Sequence, residues 1–403
     1  MFLPTFDSWN DAALFSWGIV GSIYIRQDER SLRLAPTNEM AAVLKSHHVV
    51  IGPFTTSMLD EAVKWLDQGA VHVVLQTTYQ ELVEGIALDL PPSRVYLSMT
   101  DSDLEQVAAP TAVAMLPKIS SGVILTATSS SPSISLVEFR KLLPESYRVV
   151  VANAPLDLLP TYHHHHVDVV GSPASLDAGA TFAQCLRSDR PDGLFATVVT
   201  DLSGVALGLV YSSVESIIAA VAERRGIFYS RSRGGLWRKG DSSGHTQELI
   251  RLDLDCDSDA IRCIVRQHDV ASAVPDTGAF CHLNTRTCWG HASGIRELQL
   301  TLQERLGSAP AGSYTKRLFD DRTLLRNKLV EEAQELAEAE DSTHVAEEAA
   351  DVLYFAMVRA VAANVSFQDI EAQLTMRARK LSRRPGNAKT YRIEAAEAIL
   401  KGD

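Results

Sequence analysis

Between residues 253 and 259 the chain reads Asp253-Leu254-Asp255-Cys256-Asp257-Ser258-Asp259, four carboxylates and a thiol crowded into one short stretch. Like charges at this density repel. A bound cation is the direct remedy: carboxylate oxygens suit a hard ion such as Mg²⁺, and a thiolate suits a softer one such as Zn²⁺. On a strand, Asp255, Asp257 and Asp259 would share one face and Cys256 would point to the other. Two further thiols follow in Cys281-His282-Leu283-Asn284-Thr285-Arg286-Thr287-Cys288. Three thiolates (Cys256, Cys281, Cys288) with one open position describe a zinc that acidifies water, as distinct from a closed four-ligand structural site. Cys263, set in the apolar run AIRCIV, reads as a buried core thiol.

Upstream, Ser230-Arg231-Ser232-Arg233-Gly234-Gly235-Leu236-Trp237-Arg238-Lys239-Gly240 leads to Ser243-Gly244-His245. Forked guanidinium donors, an ammonium, hydroxyls and glycines suit a phosphate; a basic surface turn has the same composition. Trp237 could stack on a base or fill a core. Near the C-terminus, Lys328, Glu332 and Glu335 fall on one helical face with Glu331 on its edge, and Glu348 and Asp351 lie one turn apart on the next helix. Antiparallel packing would let Glu332, Glu335, Glu348 and Asp351 converge on Mg²⁺ ions bridging a polyphosphate. The alternative is a solvated acidic face, although EEAADVLYF runs straight into an apolar stretch and puts Asp351 at the border of the core.

Three kinds of region must position these groups. Up to about residue 152, apolar β-branched runs (GIVGSIYI, HVVIGPF, VHVVLQ, RVYLSM, GVILTAT, YRVVVAN) alternate with amphipathic helical patterns, which predicts parallel strands covered on both faces, an α/β layer or part of a barrel. A Gly/Ser/Pro/Asp-rich stretch at 167–192 reads as a linker with a short helix inside it, and His163-His164-His165-His166 before it as a solvated loop. A β-rich α+β segment carrying four of the five cysteines follows, opening with a strand pair about a Ser203-Gly204 turn. Beyond GSAPAGSYT (307–315), LLRNKLVEEAQELAEAE and HVAEEAADVLYFAMVRAVAAN are periodic and helical. The expected domains are 1–190, 191–297 and 298–403.

Composition narrows the partners. A net charge of -12 and a pI near 5.5 argue against broad attraction to nucleic acid or anionic membrane. The first residues lack both a positive n-region and an Arg-rich transit pattern, and no apolar run is long enough to span a bilayer. A cytoplasmic chain with reduced thiols is expected, in which clustered cysteines mean metal or catalysis before disulfides.

SRSRGGLWRKGDSSGH, DLDCDSD and CHLNTRTC, in that order, resemble the phosphoribosyl-AMP cyclohydrolase family of histidine biosynthesis across roughly 192–290. The resemblance implies Mg²⁺ on Asp255, Asp257 and Asp259, and Zn²⁺ on Cys256, Cys281 and Cys288. It also implies a homodimer whose zinc site is completed across the interface by the acidic motif's cysteine from the partner chain. Where the family shows Thr-Gly after Cys-His, this chain has Leu283-Asn284, and Asp241 replaces a usual Glu; Asn284 tolerates the left-handed backbone that glycine often marks. Ring opening needs water at C6 of the adenine and a base to take its proton. His282 is the candidate base, with orientation of the zinc ligands as its other role, and His245 is the second candidate.

SYTKRLF, KLVEEAQEL and EEAADVLYF resemble phosphoribosyl-ATP pyrophosphohydrolase, an all-α relative of the MazG-type nucleotide pyrophosphatases, over about 298–390. This implies metal ligation by Glu332, Glu335, Glu348 and Asp351, with Glu331 near the site, Lys328 facing phosphate and an intertwined helical dimer. The order of the two resemblances is that of the multifunctional histidine-biosynthesis family of fungi, whose members often continue into a histidinol dehydrogenase; that third activity is not expected in a chain ending at Asp403. The combined expectation is a bifunctional hydrolase taking phosphoribosyl-ATP to phosphoribosyl-AMP and then opening the purine ring. The competing expectation is a MazG-like enzyme of the nucleotide pool with a structural zinc domain. DQGAVHVVLQTT is similar to a βα repeat of phosphate-binding barrels, without a loop motif to mark a site, so the N-terminal region is read as structural.

Overall fold

The computed structural model describes residues 2–84, 90–100, 104–126, 135–154, 156–172, 174, 176–272, 278–290 and 293–382; the end of the last helical region beyond 382 lies outside them. Eight short parallel strands, β1 (Phe2–Phe6), β2 (Ser22–Arg26), β3 (His48–Phe54), β4 (His72–Gln76), β5 (Val95–Thr100), β6 (Gly122–Thr126), β7 (Arg148–Ala152) and β8 (Val167–Gly171), pair in chain order and close β8 onto β1. Alternation sorts their side chains. Leu3, Tyr24, Val50, Val74, Tyr96, Ile124, Val150 and Val170 meet inside the barrel, while neighbours such as Val49, Ile51, Val73 and Leu75 turn outward beneath the helices. The interior is therefore a packed core and not a pore.

Closure corrects one expectation. Val167–Gly171 is not a linker but the strand that completes the barrel; the short helix expected after it is present at Ala178–Gln184, with five buried residues. Small and polar residues there are compatible with order because Gly179 lies where a Cβ would be 2.8 Å from the Ile218 backbone. The histidine run is not a free loop either: His163 and His164 end the helix Leu159–His164, and His163 is half-buried.

A six-stranded sheet follows, built from β9 (Phe195–Thr200), β10 (Ala206–Ser212), β11 (Ile227–Ser230), β12 (Gly235–Arg238), β13 (Gln247–Leu254) and β14 (Ala260–Gln267), in the order β12-β11-β10-β9-β14-β13. Only β14 and β9 run parallel. The expected turn is present, with Gly204 at φ 79°. Phe195, Val199, Leu207, Ile261 and Val265 belong to the same apolar cluster as the outer layer of the barrel, so barrel and sheet share one continuous core. The last region is helical: Ile295–Ser308, Tyr314–Asp320, Arg322–Glu338, Ser342–Val361 and Phe367–Arg379, with its own core of Leu302, Leu318, Leu325, Phe355, Met357, Val358 and Val361. Among the described residues no helix is long and apolar enough to cross a membrane.

Candidate functional site

The sulfur pair is built by a loop folded back on the sheet. Gln267 at the end of β14 donates from Nε2 to the Ala279 carbonyl at 2.9 Å, and the Cys288 amide donates to the Leu207 carbonyl at 2.8 Å. Gly208 makes room: a Cβ there would stand 2.1 Å from the ring of Phe280. The Cys281 amide donates to Thr285 and the Asn284 amide donates back to Cys281, with Asn284 at φ 60°, the left-handed backbone expected of it. The two thiols are close enough to perturb one another. Amide donors, that of Leu283 first, hold the Cys281 thiol down, whereas burial and Cys281 push the Cys288 thiol up. The Lys239 ammonium is pushed down by burial while both thiols pull it back up, so a cation already faces this pair.

Cys256 is elsewhere. It precedes β14, whereas Ala279 is tied to the far end of that strand, whose two ends, seven steps of about 3.3 Å apart, are separated by roughly 23 Å. Cys281 and Cys288 are therefore brought together without Cys256. The donor set at Cys281 and Cys288 fits a soft ion.

From residue 255 to 259 the acidic stretch is a hairpin loop between β13 and β14 and not a strand, which corrects the expected separation of thiol from carboxylates: Cys256 Sγ lies 3.9 Å from Asp257 Oδ1. The carboxylates of Asp255, Asp257 and Asp259 still gather, with one oxygen of each within 4.8 Å of the others. Repulsion from Asp257 leads the causes that raise the Asp259 carboxyl. Asp255 closes the loop by accepting from the amides of Asp259 (3.0 Å) and Ala260 (3.2 Å). At its base, Arg251 and Arg262 grip Asp253 at 2.5 and 2.7 Å.

The basic glycine-rich segment divides in two. Ser230, Arg231, Ser232, Arg233 and Gly234 turn the hairpin between β11 and β12, where the Arg231 guanidinium lies 4.0 Å over the Tyr211 ring and Ser230 Oγ is 3.3 Å from Ser232 Oγ. Lys239 and Gly240 follow the other end of β12. Lys239 is buried between the Trp237 and Phe280 rings, and Gly240 (φ 92°) allows the turn toward Ser243, Gly244 and His245, since a Cβ there would meet the His245 carbonyl carbon at 2.6 Å. His245 Nδ1 is 3.9 Å from Asp269 and lines a cavity of about 590 Å³ with Asn284 and Arg286. His282 is exposed, with Nδ1 3.8 Å from Cys281 Sγ. Asp241 pairs with Arg225.

In the helical region, a short loop at 339–341 folds Ser342–Val361 back along Arg322–Glu338, and Asp341 caps the second helix by accepting from the Thr343 and His344 amides. Glu332, Glu335 and Glu348 converge within 4.8 Å, with Glu332 buried. Lys328 Nζ bonds Glu331 at 3.0 Å and Glu332 at 2.6 Å. Burial, then Glu332 and Glu348, raise the Glu335 carboxyl. Glu348 Oε1 meets His344 at 3.3 Å, while its buried Oε2 has no hydrogen-bond partner among the described residues, an orphaned acceptor that a divalent ion would satisfy. Asp351 is exposed rather than at the border of the core and stands outside this group.

Two contacts carried no legible signal in the sequence. Asp201, fully buried, accepts from Arg286 of the cysteine loop at 3.1 Å and lies 3.5 Å from Arg296 of the first C-terminal helix; these partners are far apart in the chain. Ser258 and His163 meet at 3.2 Å, and burial pushes the His163 imidazole down to about 4. Cys263 is the buried thiol expected.

Two family models match in tandem: phosphoribosyl-AMP cyclohydrolase over residues 208–290 and phosphoribosyl-ATP pyrophosphohydrolase over 295–378. The chain is similar to the histidine biosynthesis bifunctional protein his7 of Schizosaccharomyces pombe, 36% identical over 84% of this chain and 82% of that protein. It is also similar to the histidine biosynthesis trifunctional protein of Neurospora crassa, 38% identical over 86% of this chain but 39% of that protein, so the chain spans about two fifths of that relative's length. The bifunctional protein HisIE of Thermus thermophilus is 35% identical over 47% of this chain and 91% of its own length.

Proposed function

Because the chain belongs to the family of histidine biosynthesis bifunctional proteins, we propose that it carries out two successive hydrolyses: phosphoribosyl-ATP to phosphoribosyl-AMP and pyrophosphate in the helical region, then opening of the adenine ring in the sheet region. The observation that carries this reading is the pair of separate acidic clusters, one in each matched region. Glu332, Glu335 and Glu348 would hold Mg²⁺ for the first step, with Glu331 and Asp351 at the margin. Lys328, now neutralised by Glu331 and Glu332, would move to the incoming phosphates. Asp255, Asp257 and Asp259 would hold Mg²⁺ for the second step, and Cys281 and Cys288, with Cys256 of a second chain, would hold Zn²⁺. When bound, Mg²⁺ offsets charge on the phosphates and Zn²⁺ makes water acidic enough to attack.

The chain's own residues do the rest. His282, beside Cys281 and open to solvent, takes the proton of the attacking water; His245, across the Asn284 cavity, is the second candidate. Lys239 adds positive charge beside the thiols. The hairpin-tip residues Ser230, Arg231, Ser232 and Arg233 and the turn residues Gly240, Ser243 and Gly244 engage phosphate at opposite ends of β12, which a substrate with two phosphate-bearing arms could span. Trp237, packed on Phe228, shapes the wall. Exposed apolar residues on the C-terminal helices, Leu353 at 50% and Leu374 at 56%, support burial in a homodimer. The acidic net charge supports a cytoplasmic enzyme without broad attraction to nucleic acid or anionic membrane.

The test supplies phosphoribosyl-ATP with both ions and follows pyrophosphate release beside the ultraviolet change of ring opening. Zinc removal is expected to abolish the second signal and spare the first. Ring opening by zinc-free protein would overturn the assignment.

A further inference from the structure

The geometry points to the barrel as a clamp for the acidic loop, with His163 as a positioning residue for ring opening; this rests on reading Asp255–Asp259 as the metal loop of that reaction. Within the loop, Asp255, Cys256, Asp257 and Asp259 are exposed, whereas Ser258 is only 7% exposed. Ser258 adopts a left-handed φ of 67°, which turns its side chain away from its neighbours and into the barrel. There it is held twice. Its hydroxyl meets His163 Nε2 at 3.2 Å, and its carbonyl accepts from the Arg187 amide at 2.8 Å.

The receiving surface is itself fixed. The Arg187 guanidinium donates to the His163 carbonyl at 2.8 Å. Arg140 donates to the His166 carbonyl at 3.1 Å and to those of Leu143, Pro144 and Glu145. All of this lies at the N-terminal mouth of the barrel, where His163 precedes β8. That is the end of such barrels that serves stability, the opposite end being where their catalytic loops sit. The loop and this mouth enclose a cavity of about 200 Å³ between Arg148, Asp168, Asp255 and Cys256. A loop of mutually repelling carboxylates gains order from an anchor that is not itself a ligand: Ser258 is pinned, and the four chemical groups project from it.

Amide exchange in metal-free full-length protein tests this without reference to turnover. The Asp259 and Ala260 amides report loop closure, because both bond to Asp255. His163→Ala is expected to speed their exchange roughly five- to tenfold, the effect of one lost hydrogen bond, and to lower ring opening while pyrophosphate release is retained. His163→Gln, which places a polar nitrogen near the position of Nε2, is expected to restore both. Unchanged exchange at Asp259 and Ala260 in His163→Ala overturns the clamp. So does exchange that rises equally through β8 and the rest of the barrel, which assigns His163 to barrel stability alone. Wild-type protein that fails to open the ring defeats the cyclohydrolase reading and leaves the exchange test standing.

Discussion

The acidic loop at Asp255–Asp259 and the helical cluster at Glu332, Glu335 and Glu348 gather the same number of carboxylates within the same 4.8 Å, yet by different means. In the helical cluster, spacing along two rigid rods does the work: residues one turn apart share a face, and a short loop brings the second face opposite. Glu332 is buried and Lys328 neutralises it. In the loop, every carboxylate is exposed, no lysine or arginine among the described residues forms an ion pair with Asp255, Asp257 or Asp259, and the order comes from Asp255's two amide bonds and from Ser258's attachment to the barrel. A helix carries its own scaffold, whereas a loop borrows one. This gives the barrel, which presents no site of its own among the groups described above, a physical reason to be attached to this sheet.

The comparison can be broken most severely at the sulfurs. Cys281→Ser or Cys288→Ser is expected to lower ring opening by on the order of 10³, the scale of losing a polarising group at a reacting centre, with pyrophosphate release unchanged; parallel loss of both signals would join what the structure keeps apart. The converse substitution, Glu332→Gln or Glu348→Gln, is expected to lower pyrophosphate release by on the order of 10² while supplied phosphoribosyl-AMP is still opened.

A smaller effect is expected at the base of the loop. Burial would raise the Asp253 carboxyl, but Arg251 and Arg262 override it and hold the group below the usual carboxylate range. A depressed folded value means stability that is present above the ordinary aspartate pKa and lost as pH falls through the folded one. Asp253→Asn is expected to cost about 1–2 kcal/mol in urea unfolding at pH 7, and the difference from wild type should shrink as the pH drops below about 4. The mildest test is thiol labelling of native, metal-free protein. Exposed Cys256 should alkylate readily, Cys288, exposed but with its thiol pushed up, more slowly, and Cys263, pushed up to about 12 by burial, only on unfolding; added Zn²⁺ should shield Cys288.

Much of this molecule was legible as a string. Six of the eight barrel strands were visible as apolar runs because parallel strands are covered on both faces and need no polar alternation. The two that escaped, Phe2–Phe6 and Val167–Gly171, carry a proline, or an aspartate beside a Gly/Ser/Pro-rich tract, and only closure of the ring makes strands of them. Glu332 and Glu335 were legible because helical spacing is a local property. The acidic motif was legible as composition but not as shape: read as a strand it separated Cys256 from the carboxylates, and the turn at Ser258 undid that. What the order of residues determined by itself was which groups are available and, on helices, which of them share a face, since those relations span only a few residues. What tertiary structure alone decided was who meets across the fold: Asp201 with Arg286 and Arg296, Ser258 with His163, and Cys256 kept a strand's length from Cys281. Such meetings depend on how distant elements pack, and no local periodicity encodes that.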